Sequence, residues 1–201
     1  MYMDETINNF LYALSSKQVQ MGGGSIIGLN LASVCSLMEY ICNLTIGKKK
    51  YINVEEQAKK LLDEAENLKI QSLDSIDEDK QILEKILFFY KTKNEKKDEY
   101  EEILQRAVDF SFEVLELSYK VLVLVENVSK VGNLMLVSDF EIGAYMAYSC
   151  VESSITNIKI NIQNIEDENY IEKMKNKYLN ILDDAYEIKE KILKYTNNLL
   201  K

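Results

Sequence analysis

Apolar residues recur along this chain in steps of three and four, and that period predicts helix nearly from end to end. Near the start, Ile7, Phe10, Leu11 and Leu14 share one face of a helix that Asp4 can cap and that reaches about Ser16. From Val54 the apolar line passes through positions 58, 61, 65 and 68, then Ile76, Leu83, Leu87 and Tyr90. The polar, lysine-rich run from Lys91 to Asp98 predicts a surface turn. Tyr100, Ile103, Ala107, Phe110, Val114, Leu117, Val121, Leu124 and Val128 then alternate threes and fours without a break. The local run VLVLV at 121–125 would pass for a buried strand, but the period around it predicts helix. Gly132 breaks the chain. Ser138 and Glu141 have the spacing of a capping box, opening a helix to about Ile165 with a face of small residues (Gly143, Ala144, Ala147, Cys150, Ser154). A last helix places Ile171, Met174, Tyr178, Ile181, Ala185, Ile188, Ile192, Tyr195 and Leu199 in the same alternation. No stretch keeps a period of two over a useful length. The expected fold class is all-α: one domain over residues 1–201, a single bundle of about six helices, two of them largely buried and central.

One of those two central helices breaks the amphipathic rule. Between Ile26 and Ile46 the only charged residue is Glu39. Gly22, Gly23 and Gly24 precede this segment, Ser25 is placed as its N-cap, and Gly47 as the residue that ends it. Lys48, Lys49 and Lys50 follow, where cations suit the negative end of a helix dipole. A helix that is apolar nearly all round must be covered, inside a bundle or at a subunit interface. It is long enough to span a bilayer. Asn30, Ser33, Ser36, Glu39, Asn43 and Thr45 favour a buried core helix instead, with no membrane span expected.

Composition narrows the chemistry. The chain has no proline, so nothing interrupts long helices by removing a backbone donor. Its net charge of −9 argues against a nucleic-acid partner, which needs a basic face. Histidine is absent, which excludes a histidine general base and any metal site built on histidine. Cys35, Cys42 and Cys150 lie in apolar segments, and an odd number of buried thiols suits a reducing cytoplasm. The N-terminus lacks the basic and apolar regions of a signal peptide.

Four places can carry chemistry, and each also has a plain structural reading. Gly22, Gly23, Gly24 and Ser25 offer free backbone N–H groups at a helix start, or simply a turn. In Asp77-Glu78-Asp79, position 79 falls on the inward line drawn from Ile76 to Leu83, while Asp77 flanks it. A carboxyl there is desolvated, its pKa rises, and it becomes a candidate general acid/base; otherwise the run is an acidic rim. Asn133 with Ser138 and Asp139 reads as a ligand-facing turn or as ordinary capping. Asn157 and Asn161 lie one turn apart, with Lys159 between them, and their amides can orient a polar ligand.

Taken together, GGGS, LTIGKKKY, IDED, GN…SD and NIKIN resemble the formiminotransferase-cyclodeaminase C-terminal domain family, in order and spacing, from about residue 5 to 170. The stand-alone bacterial members of that family are methenyltetrahydrofolate cyclohydrolases. The resemblance implies an all-helical bundle that forms homodimers. It implies a tetrahydrofolate substrate, polyglutamylated or not, and no metal or other cofactor. On the matching positions it implies Asp79 as acid/base and Asp139 as partner of the pterin or its cationic carbon. Asn157 and Asn161 would orient the ligand, and Lys48, Lys49 and Lys50 would contact glutamate carboxylates. Gly22, Gly23, Gly24, Ser25, Asp77, Asn133 and Ser138 complete the implied substrate-binding set. Met21 stands where the family has proline, Lys80 to Leu83 where it has small residues and an aromatic, and Met135 where it often has asparagine. The leading expectation is hydrolysis of 5,10-methenyltetrahydrofolate to 10-formyltetrahydrofolate. The alternatives are deamination of 5-formiminotetrahydrofolate with release of ammonia, and a non-catalytic folate-binding or helical partner protein.

Overall fold

The computed structural model describes residues 5–17, 21–92, 97–163 and 165–200. Among these, six α-helices form the bundle that the period predicts: α1 (Ile7–Ser15), α2 (Gly23–Asn43), α3 (Glu55–Thr92), α4 (Lys97–Val131), α5 (Val137–Ile162) and α6 (Glu168–Leu199). Two short 3₁₀ turns, Lys49–Val54 and Leu134–Leu136, lead into α3 and α5. No strand occurs among the described residues, and 121–125 is helical as the wider period requires. Residues 93–96 of the expected surface turn lie outside the described residues.

The core forms where the inward lines of α2, α3, α4 and α5 meet. Leu31, Val34, Cys35, Met38 and Ile41 of α2 are wholly buried, as are Val108, Leu115, Val121, Leu122, Leu124, Val125 and Val128 of α4. Each such aliphatic side chain contributes roughly 1.5–3 kcal/mol by leaving water. α2 packs most closely along α3, and Gly28 makes that approach possible. A Cβ at Gly28 would lie within 2.7–2.8 Å of Ser75 Oγ, Ile76 and the Ser72 carbonyl. α2 also lies antiparallel to α5, since its start faces Asn157 while the residues after its end bond Asn133. α5 packs against α2, α4 and α6 and leaves one stripe open, where Ile142, Tyr145 and Ile160 are each about half exposed (48%, 52% and 56%). α1 joins through a small second cluster of Phe10, Met21 and Ile76.

The helix boundaries correct several expectations. Asp4 lies outside the described residues, and the cap of α1 is Thr6, whose side chain accepts from the Asn9 N–H. Of the expected α1 face only Phe10 is buried; Ile7 and Leu11 are exposed. α2 starts at Gly23 with Gly22 as N-cap, so Ser25 lies inside the first turn. The helix ends at Asn43, and Gly47 takes φ +75° in the turn beyond it, a conformation that glycine adopts without strain. The Ser138–Glu141 capping box does not form, because the turn at Leu134–Leu136 brings the chain into helix at Val137 and leaves Ser138 in the first turn.

Candidate active site

The start of α2, the middle of α3, the early part of α4 and the end of α5 enclose a cleft of about 170 Å³. Its polar rim is Gly22, Gly23, Gly24, Asp79, Asn157, Ser111 and Asn161, and its apolar wall comes from Ile82, Leu83, Ile86, Phe110 and Ile160.

Asp79 is its chemical centre. The carboxylate lies directly over Gly24, so close that a Cβ there would overlap Asp79 Oδ1. The Ser25 hydroxyl donates to Asp79 Oδ2 at 2.8 Å. Ser25 is fully buried, so this hydroxyl is a fixed donor inside the protein. Burial pushes the Asp79 carboxyl above its ordinary value, while the Ser25 O–H and backbone N–H pull it part of the way back. Such a group can hold a proton nearer neutrality than a surface carboxylate and hand it to a ligand in the cleft. Ser25 is therefore built to position Asp79, a different placement from the ligand contact expected of it.

The acidic triplet splits by helix geometry. Asp77, two residues and about 200° away round α3, does not line the cleft. Glu78 turns outward to the sole arginine, Arg106, which also pairs with Glu113 at 2.7 Å. That pairing ties α3 to α4 beside the cleft. Asn157 and Asn161 do share the cleft with Asp79. Asn161 Nδ2 donates to Ser111 Oγ at 3.0 Å and to the Ala107 carbonyl at 3.3 Å.

The remaining expected site residues lie elsewhere in the subunit. α2 is 21 residues long, so its two ends are about 30 Å apart. Lys48, Lys49 and Lys50 are exposed at the far end, with Lys50 over the Tyr51 ring at 5.3 Å. Asn133 is there as well, and its bonds are structural. Its N–H donates to Thr45 Oγ1 at 2.9 Å, and its Nδ2 donates to the Leu44 carbonyl at 3.3 Å. Its Oδ1 accepts from Tyr51 O–H at 3.2 Å and from the Met135 N–H at 3.1 Å. Ser138 is exposed and Asp139 half-buried in the first turn of α5, close to this knot and not in the cleft. Within one subunit the expected set therefore falls into two groups.

Sequence reasoning passed over Ser111, Phe110, Leu83 and Ile86 as cleft residues. Ser111 carried a readable signal, a hydroxyl four residues after Ala107 beside an otherwise apolar stripe. The others looked like ordinary core.

Comparison with known proteins bears on the family and the fold. A model of the formiminotransferase-cyclodeaminase family matches residues 6–180. The chain is 30% identical over 196 residues to a methenyltetrahydrofolate cyclohydrolase of Methylorubrum extorquens, covering 94% of each. It is 20% identical over 190 residues to a formimidoyltransferase-cyclodeaminase of Rattus norvegicus, covering 91% of this chain and 35% of that one. Its fold matches the crystal structure of formiminotetrahydrofolate cyclodeaminase from Thermotoga maritima with a TM-score of 0.85 at 21% identity, over 100% of this chain and 98% of that chain.

Proposed function

The chain belongs to the formiminotransferase-cyclodeaminase family, and within it we propose that this protein hydrolyses 5,10-methenyltetrahydrofolate to 10-formyltetrahydrofolate. The observation that carries this reading is the desolvated Asp79 carboxyl, seated on Gly24 in a cleft whose opposite rim is two amides.

In the substrate the one-carbon unit bridges N5 and N10 as a cationic amidinium. Asp79 as carboxylate favours that cation electrostatically and takes a proton from the attacking water. The water oxygen bonds to the bridging carbon, giving a tetrahedral centre. The carbon–N5 bond then breaks as the carbonyl forms, N5 takes the proton back from Asp79, the hydroxyl proton is lost to solvent, and the carbon stays on N10 as the formyl group. One proton is released in the sum, and the reaction so written needs no metal or redox cofactor. Asn157 and Asn161 hold the pterin across the cleft.

A cleft of about 170 Å³ is small beside the roughly 300–1,000 Å³ of typical ligand pockets, so a folate reaches beyond it. A homodimer supplies what one subunit lacks. Ser33, Ser36 and Tyr40 of α2 and Ile142, Tyr145 and Ser149 of α5 are uncharged and exposed on these neighbouring helices. The cleft lies at one end of this antiparallel pair, and Asp139 with the lysines at the other. A twofold pairing across it would lay the lysine end of one protomer against the cleft of its partner. Lys48, Lys49 and Lys50 would then meet the glutamate tail, whether single or a chain. Three buried thiols, with Cys35 and Cys150 pushed up to about 12 and Cys42 to about 11 by burial, suit a reducing cytoplasm as its location.

A second reading, formiminotetrahydrofolate cyclodeaminase, is favoured by the family match and by the rat relative. One paired assay separates them: loss of the near-ultraviolet absorbance of methenyltetrahydrofolate, and release of ammonia from 5-formiminotetrahydrofolate. Accelerated loss of the first without the second is the expected result. Activity on neither substrate would leave a folate-binding or helical partner protein.

A further inference from the structure

A cavity of about 390 Å³ between the end of α5 and the first turns of α6 shares no residue with the cleft. It is larger than the cleft and falls within the usual range of ligand pockets. Ile162, Ile171 and Tyr178 supply its apolar wall, and Lys159, Lys175 and Gln163 are exposed around it. Lys159 is two residues from each cleft asparagine, about 200° round the helix from both, and so faces away from them. No acid lines this cavity, in a chain with 33 acidic and 24 basic residues. The grooves along α4, by contrast, carry Glu113 and Glu116, or Glu101, Glu102 and Asp109. Neither Lys159 nor Lys175 has a carboxylate partner among the described residues, and the Lys159 ammonium lies over the Tyr178 ring at 5.7 Å. Tyr178 itself is 6% exposed, and its hydroxyl has no hydrogen-bond partner among the described residues. A tyrosine buried to that degree ordinarily has one. Its oxygen is not sealed in the core, and the space it opens on is this cavity.

We propose that this cavity is a second binding site, for a small organic anion with an apolar body: an aromatic or branched aliphatic carboxylate. Lys159 and Lys175 attract the carboxylate, the Tyr178 O–H donates to it, and Ile162 and Ile171 cover the body. The lysine stems lie along the apolar wall while their heads reach the charge. An inorganic anion is disfavoured, because an apolar wall replaces none of its hydration. The site stands independently of the folate reading. The alternative is two solvated lysines at a helix end and a hydroxyl on water, which attract any anion weakly and alike.

The test is an NMR titration of the ¹⁵N-labelled full chain with benzoate, isovalerate, benzyl alcohol and inorganic phosphate. Benzoate and isovalerate should saturate with Kd of roughly 0.1–10 mM, ordinary for ligands of so few atoms. They should move the Gln163 side-chain amide and the backbone signals of 159–163 and 171–178. Benzyl alcohol lacks the charge and phosphate lacks the apolar body, so each should bind at least about tenfold more weakly. Lys159→Met and Lys175→Met keep the stem and remove the charge, and each should raise Kd about two- to fivefold. Tyr178→Phe keeps the ring in its place in the core and should raise Kd about two- to tenfold, the worth of one hydrogen bond. Absence of saturable carboxylate binding, phosphate binding as tight as benzoate, or shifts centred on Asn157 and Asn161 overturns the proposal. Unchanged affinity in Tyr178→Phe overturns it as well.

Discussion

The two ends of α2 hold residues of the same family pattern and are put to opposite uses within the subunit. At the start, Gly24 leaves room for a carboxylate, Ser25 pins it, and two amides face it across a cleft. Beyond the end, Asn133 commits its N–H and every polar atom of its side chain to protein partners, and the three lysines stand in solvent. The difference lies in what is left over after folding. A buried polar group can act on a ligand only where the fold does not satisfy it fully. Asp79 meets that condition; Asn133 does not.

The comparison is most sharply tested by Asp79→Asn. Turnover should fall by about 10²–10⁴-fold, the usual worth of a positioned acid/base, with the helical fold intact. The stability effect has a definite sign. The folded-state pKa of Asp79 is raised, so its contribution to stability is fully present below the unfolded value and is lost as pH rises through the folded one. At neutral pH the wild type carries the cost of a buried charge and the variant does not. Thermal melts should show Asp79→Asn as the more stable protein at neutral pH, with the gap closing as pH falls into the ordinary carboxyl range. Undiminished turnover would remove Asp79 from the mechanism.

Gly24→Ala attacks the same end through shape alone. The new Cβ overlaps the carboxylate, so Asp79 must leave its seat on α2. Steady-state kinetics should lose roughly 10- to 100-fold in kcat, as misplacement of a catalytic group does, with a stability loss of about 1–3 kcal/mol from overpacking. Unchanged kcat would mean that the carboxylate need not rest there.

Asn133→Ala should give the reverse profile. Denaturant unfolding should show a loss of about 1–3 kcal/mol, because the Leu44 carbonyl loses its side-chain donor and the Tyr51 hydroxyl its acceptor, while kcat of the folded enzyme stays near wild type. A large fall in kcat at unchanged stability would erase the contrast between the two ends. Replacing Lys48, Lys49 and Lys50 together by alanine is the mildest change. Stability should move by less than about 0.5 kcal/mol, and KM for a polyglutamylated substrate should rise a few-fold while that for a monoglutamate moves less.

Much of the helix framework was legible in the order of residues, because burial of one face imposes a period that any reader can count. Asp79 was legible for the same reason: an acid on the inward line between Ile76 and Leu83 stands where apolar residues belong. Helix starts were less legible. Ser25 and Ser138 have the chemistry of caps, yet a glycine loop and a 3₁₀ turn bring the chain into helix three residues and two residues sooner. A capping residue is defined by backbone angles, and those depend on what precedes it.

The sequence by itself determined that this is a helical bundle and that α2 is covered along most of its length, since local period and side-chain chemistry suffice for both; it marked Asp79 as either a desolvated acid or part of an acidic rim, and the fold decided for the first. Only the tertiary structure decided which polar groups meet. Ser25 and Asp79 are 54 residues apart, Asn161 and Ser111 are 50 apart, and Asn133 and Thr45 are 88 apart. No spacing rule spans such separations. The crossing of α2 with α3 at Gly28 and its antiparallel course along α5 separate the motif residues between the two ends of one helix.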